Sequence, residues 1–216
     1  MSPTTVKSHE PRLRADALRN RERIISAARE MFVEQGADVP MDEVARRAGI
    51  GNATLYRHFP DRHELIHRVS LHVMERIIDR AEAALTEESD AFEALRRFVH
   101  AAADERIGAL CPLISQAGDA KDHPDTVEAG ERLDGAINTL MERARSSGQL
   151  RQDVAVGDVV VAVTQLTRPL PGDGCSVGFD GFVHRHLQLL LDGLRAPARS
   201  ELPGSAVTLE DLRQRS

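Results

Sequence analysis

Seven consecutive residues, Asn52 to His58, place an amide, a hydroxyl, a phenol, a guanidinium and an imidazole within two helical turns. They lack the pairing of nucleophile with base that acyl or phosphoryl transfer would need. They are instead groups that donate to phosphate oxygens and read base edges in a DNA groove. Leu55 and Phe59, four residues apart, would give the stretch one apolar face and leave Asn52, Thr54, Tyr56, Arg57 and His58 on the other.

The flanking sequence supplies the elements that must hold such a face. Met41–Ala48 carries apolar residues at Met41, Val44, Ala45 and Ala48, the stripe of an amphipathic helix, with Asp42 and Glu43 near its positive end. Gly49-Ile50-Gly51 then breaks the pattern. Gly49 suits a left-handed turn, Gly51 is an acceptable N-cap, and Ile50 can plug the core between the two helices. A second short helix follows over Asn52–Phe59. Asn20 reads as the cap of an earlier helix that ends at Gln35, with Ile24, Ala28, Met31 and Phe32 inward and Gly36 as its stop. Pro60 followed by Asp61-Arg62-His63-Glu64 has the spacing of a capping box, so a fourth helix starts near Asp61 and continues to about Leu85.

These residues resemble the helix-turn-helix of the TetR family of bacterial transcriptional regulators. The resemblance rests on Ala45-Arg46-Arg47-Ala48-Gly49-Ile50, on Thr54-Leu55-Tyr56-Arg57-His58-Phe59-Pro60, and on Glu64-Leu65 beyond the proline. It spans roughly Ile24 to Leu65. It implies phosphate contacts from Thr54, Tyr56 and His58, base-edge contacts from Asn52, Ala53 and Arg57, and backbone contacts from Arg46. Arg62 stands where the family usually has a lysine touching phosphate. One residue departs from the pattern: Gly51 replaces the usual Ser or Thr, which weakens the start of the recognition helix by a few tenths of a kcal/mol.

Charge distribution agrees with a protein that meets DNA with one end. The chain of 216 residues has a formal charge of −6, an argument against nucleic-acid binding if taken whole. Yet residues 1–33 hold seven basic and four acidic side chains, whereas residues 66–216 hold 17 basic and 24 acidic. Aromatic residues make up 3% of the chain, and Ala, Leu, Glu and Arg are abundant, so an all-α fold of about nine helices is expected. Residues 1–18 read as a flexible basic arm, 19–60 as the helix-turn-helix domain, 61–195 as a helical effector-binding and dimerisation domain, and 196–216 as a disordered tail with a short helical turn at Leu209–Arg213. No apolar run reaches the length of a membrane span, and a cytoplasmic location is expected.

In the larger domain, Val156–Thr167 and Phe179–Leu194 are too apolar to face water alone. The run of valines at 159–161 and 163 would permit a buried strand, but a partner strand is missing. By the resemblance these two helices pair with their twins in a homodimer, which would read a palindromic double-stranded operator. Release by a small-molecule effector is implied in the same way. Candidate effector-binding residues are His67, Leu71, Met74, Phe98, Ala102, Ile114, Gln116, Ile137 and Met141, each of which could equally be ordinary core.

Other chemistries find little support. Cys111 and Cys175 lack metal-ligand spacing; the first reads as a core residue and the second as a loop thiol. Asp119, Asp122, His123 and Asp125 cluster in a loop that could hold a metal but has the composition of a solvated turn. No metal, cofactor or enzymatic activity is expected, since the common catalytic and nucleotide-binding motifs are missing. A helical ligand-binding adaptor that has lost DNA binding remains the alternative, and the Thr54–His58 face argues against it.

Overall fold

The computed structural model describes residues 10–36, 38–110, 123–169 and 179–214. They fall into two compact units that divide between Ser70 and Leu71. Regular structure among the described residues is helical, apart from an isolated antiparallel bridge between Leu150 and Arg195.

In the first unit, α1 (Glu10–Gln35), α2 (Met41–Ala48), α3 (Asn52–His58) and the start of α4 (Arg62–Glu87) surround Ile24, Ala28, Phe32, Val44, Ala45, Leu55, Phe59 and Leu65, all fully buried. Helix α1 begins ten residues before the expected cap at Asn20, so the expected arm is helical from Glu10 onward. Its stop is as expected: Gly36 takes φ 84 and donates to the Phe32 carbonyl at 3.0 Å. At the head of α4, Asp61 accepts the Glu64 amide at 2.9 Å. The division at Ser70 lies ten residues beyond the expected domain edge, because Leu65, Ile66 and Val69 are buried with the first unit.

The second unit contains the rest of α4, then α5 (Ala91–Asp104), α6 (Pro124–Ser146), α7 (Val156–Leu166), α8 (Phe179–Leu194) and α9 (Leu209–Gln214). Asp90 caps α5 by accepting the Glu93 amide at 2.9 Å, and Gln149 donates to its other oxygen at 2.7 Å. After α5, Arg106 at φ 54 reverses the chain into a helical stretch over 107–110. That stretch lies close against α7: the Gly108 amide donates to Thr167 Oγ1 at 2.9 Å, and a Cβ at Gly108 would stand 2.1 Å from the Thr164 carbonyl. The valine run is helical, as the missing partner strand required. Phe92, Leu95, Phe98, Val99, Leu140, Met141, Val159, Val163, Leu187 and Leu191 make the core.

The tail differs from expectation. Arg151, 6% exposed, grips Asp153 through two nitrogens and donates to the carbonyls of Gly193 and Ser200. Further on, the Val207 amide donates to Asp158 Oδ1 at 3.2 Å, and Val207 crosses Gly157 so closely that a Cβ there would meet its carbonyl at 2.4 Å. Polar anchors, of which Arg151 is buried, hold this stretch. The segments with Cys111, Ile114, Gln116, Asp119, Asp122 and Cys175 lie outside the described residues. Among the described residues, no helix is long and apolar enough to cross a membrane.

Candidate nucleic-acid interface

The turn between α2 and α3 is built from backbone. Gly49 sits at φ 65, ψ 40, its amide directed at the carbonyls of Ala45 and Arg46, while the Ile50 amide reaches the Ala45 carbonyl at 3.0 Å. Gly51 caps α3 without a side chain; its carbonyl accepts the amides of Thr54 and Leu55 at 2.9 and 3.1 Å. With Leu55 and Phe59 fully buried, the rotation of α3 about its own axis is fixed.

That rotation sets the outer face. Asn52, Ala53, Tyr56 and Arg57 are exposed, and Thr54 and His58 are half-buried at its edges. Tyr56 leaves 49% of its surface in solvent, unusual for the only tyrosine of the chain. Asn52, Tyr56 and Arg57 make no side-chain hydrogen bond or ion pair with another described residue. The face combines donors, a phenol ring and a cation without internal neutralisation, which suits a polyanion with readable edges.

The neighbouring arginines divide by role. Arg46 points outward, its side chain 74% exposed with only a 3.6 Å approach to Glu43. Arg47, next in sequence, is committed to α1: it donates to Glu34 at 2.9 Å and Glu30 at 3.3 Å. The hydrogen bond and charge of Glu34, with help from Glu30, raise its pKa above the ordinary arginine value. Arg23 of α1 reaches the Gly49 carbonyl at 3.4 Å, and Arg21 lies 5.9 Å from the centre of the Phe59 ring. Sequence alone does not single out these two, or Arg47, as supports of the turn, because their partners are set by how α1 crosses α2.

Arg62 is placed differently from the other candidates. Its Nη1 donates to the Val39 carbonyl, its guanidinium lies 5.8 Å from the Phe32 ring centre, and its buried Nη2 has no hydrogen-bond partner. In this arrangement it braces α4 against the loop before α2. A phosphate contact would require it to leave that carbonyl.

The effector candidates fall in both units. His67 is buried in the first unit. In the second unit Leu71 and Met74 are half-buried, and Phe98, Ala102, Ile137 and Met141 are core. Met141 also borders an open cavity of about 570 Å³ lined by the last turns of α6 with Ala155 and Val156. Ile114 and Gln116 lie outside the described residues. His123 caps α6, with Nδ1 3.4 Å from the Asp125 amide.

Known proteins resemble this chain in both units. The family profile described as bacterial regulatory proteins, tetR family, matches residues 24–69. A second, the C-terminal domain of SbtR-like transcriptional regulators, matches residues 89–196. The crystal structure of a TetR transcription regulatory protein from Mycobacterium vanbaalenii is 30% identical, covering 85% of this chain and 99% of that one, with a TM-score of 0.60. A TetR transcriptional regulator from Streptomyces coelicolor is 29% identical over 82% of this chain and 99% of its own, with a TM-score of 0.61. Helix-turn-helix transcriptional regulators of Staphylococcus aureus are 40% identical over 68 residues, 31% of this chain and 35% of theirs. The chain thus spans about a third of the length of the curated relatives it matches.

Proposed function

This chain belongs to the TetR family of bacterial regulatory proteins, and from that premise we propose that it is a repressor that binds a palindromic operator as a homodimer and is released by a small molecule. The observation that carries the reading is the outer face of α3, where Tyr56 and Arg57 stand exposed beside Asn52 and Ala53. In this reading Thr54, Tyr56 and His58 grip phosphates, Asn52, Ala53 and Arg57 meet base edges, and Arg46 reaches the backbone from α2. Arg62 joins them by exchanging the Val39 carbonyl for a phosphate.

A homodimer is favoured by two considerations. A seven-residue recognition helix makes too few contacts for specific binding alone, whereas two related by symmetry read both halves of a palindrome. Helices α7 and α8 also keep large apolar side chains in solvent, with Val161 38% and Leu189 59% exposed. Effector and DNA would favour different states of the dimer, and each would weaken the other by the same factor. The aromatic content of 3% suits an aliphatic effector better than one held by ring stacking. Such a regulator works in the cytoplasm and carries no catalytic step.

Fluorescence anisotropy against DNA upstream of its own coding sequence, at two salt concentrations, tests this reading. Tight, salt-dependent binding that is lost in the Tyr56→Ala, Arg57→Ala double variant is expected. No binding by wild type beyond the weak background of the variant would favour the adaptor without DNA binding.

A further inference from the structure

Helices α5 and α8 meet through two imidazoles. His100 Nδ1 and His184 Nδ1 lie 2.8 Å apart. The ring centres are 5.0 Å apart and the planes are inclined by 29°. So short a gap between the nitrogens, with the centres so far apart, places both nitrogens near the line of centres. That is the geometry of an N–H···N hydrogen bond rather than of face-to-face stacking. The outer nitrogens are engaged as well. His184 Nε2 stands 3.0 Å from Asp104 Oδ1. His100 Nε2 stands 3.4 Å from Gln188 Oε1, and Gln188 is oriented by donating its amide to Asp192 at 2.8 Å.

Proton counting decides what this arrangement requires. Three contacts need three N–H groups, because the Asp104 carboxylate and the Gln188 oxygen only accept and one Nδ1 must donate to the other. Two neutral imidazoles carry two N–H groups between them. The set is therefore complete only with one proton more. Burial holds the His100 imidazole below the ordinary histidine range; the charges of His184 and Arg96 act in the same direction, and Gln188 and Asp104 oppose them. His100 is thus the neutral member, donating from Nε2 and accepting at Nδ1. The hydrogen-bond count then leaves the two remaining N–H groups to the ring that meets Asp104.

We propose that His100 and His184 form a shared-proton clamp between α5 and α8, complete only in the pH window where the pair carries a single positive charge. Above the window one N–H is lost, and a lone pair then faces either Asp104 or the other imidazole. Below it, a second proton on His100 sets two imidazolium rings Nδ1 to Nδ1. The charged groups facing the pair are Arg96 and Asp104 from α5, with Asp192 of α8 behind Gln188. Helices α6 and α7 also pack on α5, and their buried residues include Ile137, Leu140, Val159 and Val163. The clamp needs neither DNA binding nor dimerisation, because both partners lie in the second unit. It does tie acidity to the helix that carries Leu189, so a dimer built on α8 would inherit the same window.

Two measurements on the full chain test it. In thermal unfolding between about pH 5 and 8, wild type should exceed His184→Gln by several degrees in midpoint inside the window and converge with it at both ends. Asp104→Asn, a change at an exposed side chain, removes the need for a charged ring and should flatten the same maximum. Nitrogen-15 spectra of the imidazoles in wild type should show one ring protonated at both nitrogens and the other protonated at Nε2 alone. Two neutral rings throughout that range would overturn the proposal. So would pH profiles of wild type and Asp104→Asn that superimpose, whether or not His184→Gln folds.

Discussion

The Arg76 guanidinium forks onto the Glu105 carboxylate, with Nε and Nη2 each 2.8 Å from an oxygen, and Glu105 is 1% exposed while the Arg76 side chain is 41% exposed. The pair ties the second-unit part of α4 to the end of α5, and its asymmetry makes the order of removal matter. Arg76→Ala leaves a buried carboxylate without its fork and should cost about 2–3 kcal/mol, less than a pair buried on both sides would. Glu105→Ala leaves a guanidinium that water already reaches, so it should cost less. A double-mutant cycle by urea unfolding should return a coupling of about 1 kcal/mol or more; additive costs would refute it.

Gly49 should tolerate no side chain without loss. An alanine there would be forced to φ 65 and would meet Arg23 Nη2 at 2.7 Å. The arginine tip can swing away, so strain is the lasting cost, about 1–2 kcal/mol. Gly49→Ala should lower the melting temperature and weaken operator binding, and Gly51→Ser should do neither.

Phosphate and base contacts on α3 can be told apart by salt. If Tyr56 holds a phosphate, Tyr56→Phe weakens binding to all DNA sequences alike. If Arg57 reads a base, Arg57→Ala costs about 1–3 kcal/mol on the operator and little on random DNA. Binding isotherms on the two DNAs, repeated at several salt concentrations, separate the cases.

Acid should undo the cap of α5. The amide of Glu93, first, and the side chain of Gln149, second, hold the Asp90 carboxyl below its ordinary value. A carboxyl with a depressed folded pKa contributes stability above its unfolded value, and that stability is lost as pH falls through the folded one. Asp90→Asn should therefore flatten the acid limb of the stability curve below about pH 4, measured by circular dichroism.

Gly157→Ala tests the anchoring of the tail. The added carbon would meet backbone atoms, the Val207 carbonyl at 2.4 Å and the Thr208 carbonyl at 2.9 Å, which cannot rotate aside. The tail should lift, and proteolysis after about residue 200 should quicken while α5 and α6 stay protected.

The parts of the fold legible in sequence were those specified locally. Gly49, Leu55 and Phe59 fix the turn and the rotation of α3 through contacts a few residues long, so the exposed face is legible in sequence. One local signal points the other way. Pro11 at the second position of α1 is compatible with a helix start, although its polar surroundings suggested an arm. The short helical turn expected at Leu209–Arg213 is α9, and Thr208 with Asp211 caps it, Asp211 Oδ2 lying 2.9 Å from the Thr208 amide and Thr208 Oγ1 3.1 Å from the Asp211 amide. Arginine partners were beyond reach. Nothing near Arg47 or Arg62 in sequence says that one will bind Glu34 and the other the Val39 carbonyl. His100 and His184, 84 residues apart, meet only because α5 and α8 pack together.

The anchored tail also bears on the order in which the second unit can be completed during synthesis. Asp158 at the head of α7 must wait for Val207, and Arg151 for Ser200, each partner 49 residues further along the chain. A nascent chain that has emerged only as far as α8 would have α7 without this cover and Arg151 without the Ser200 carbonyl, with the apolar faces of both helices already made. Completion of the second unit thus waits until synthesis has passed Val207.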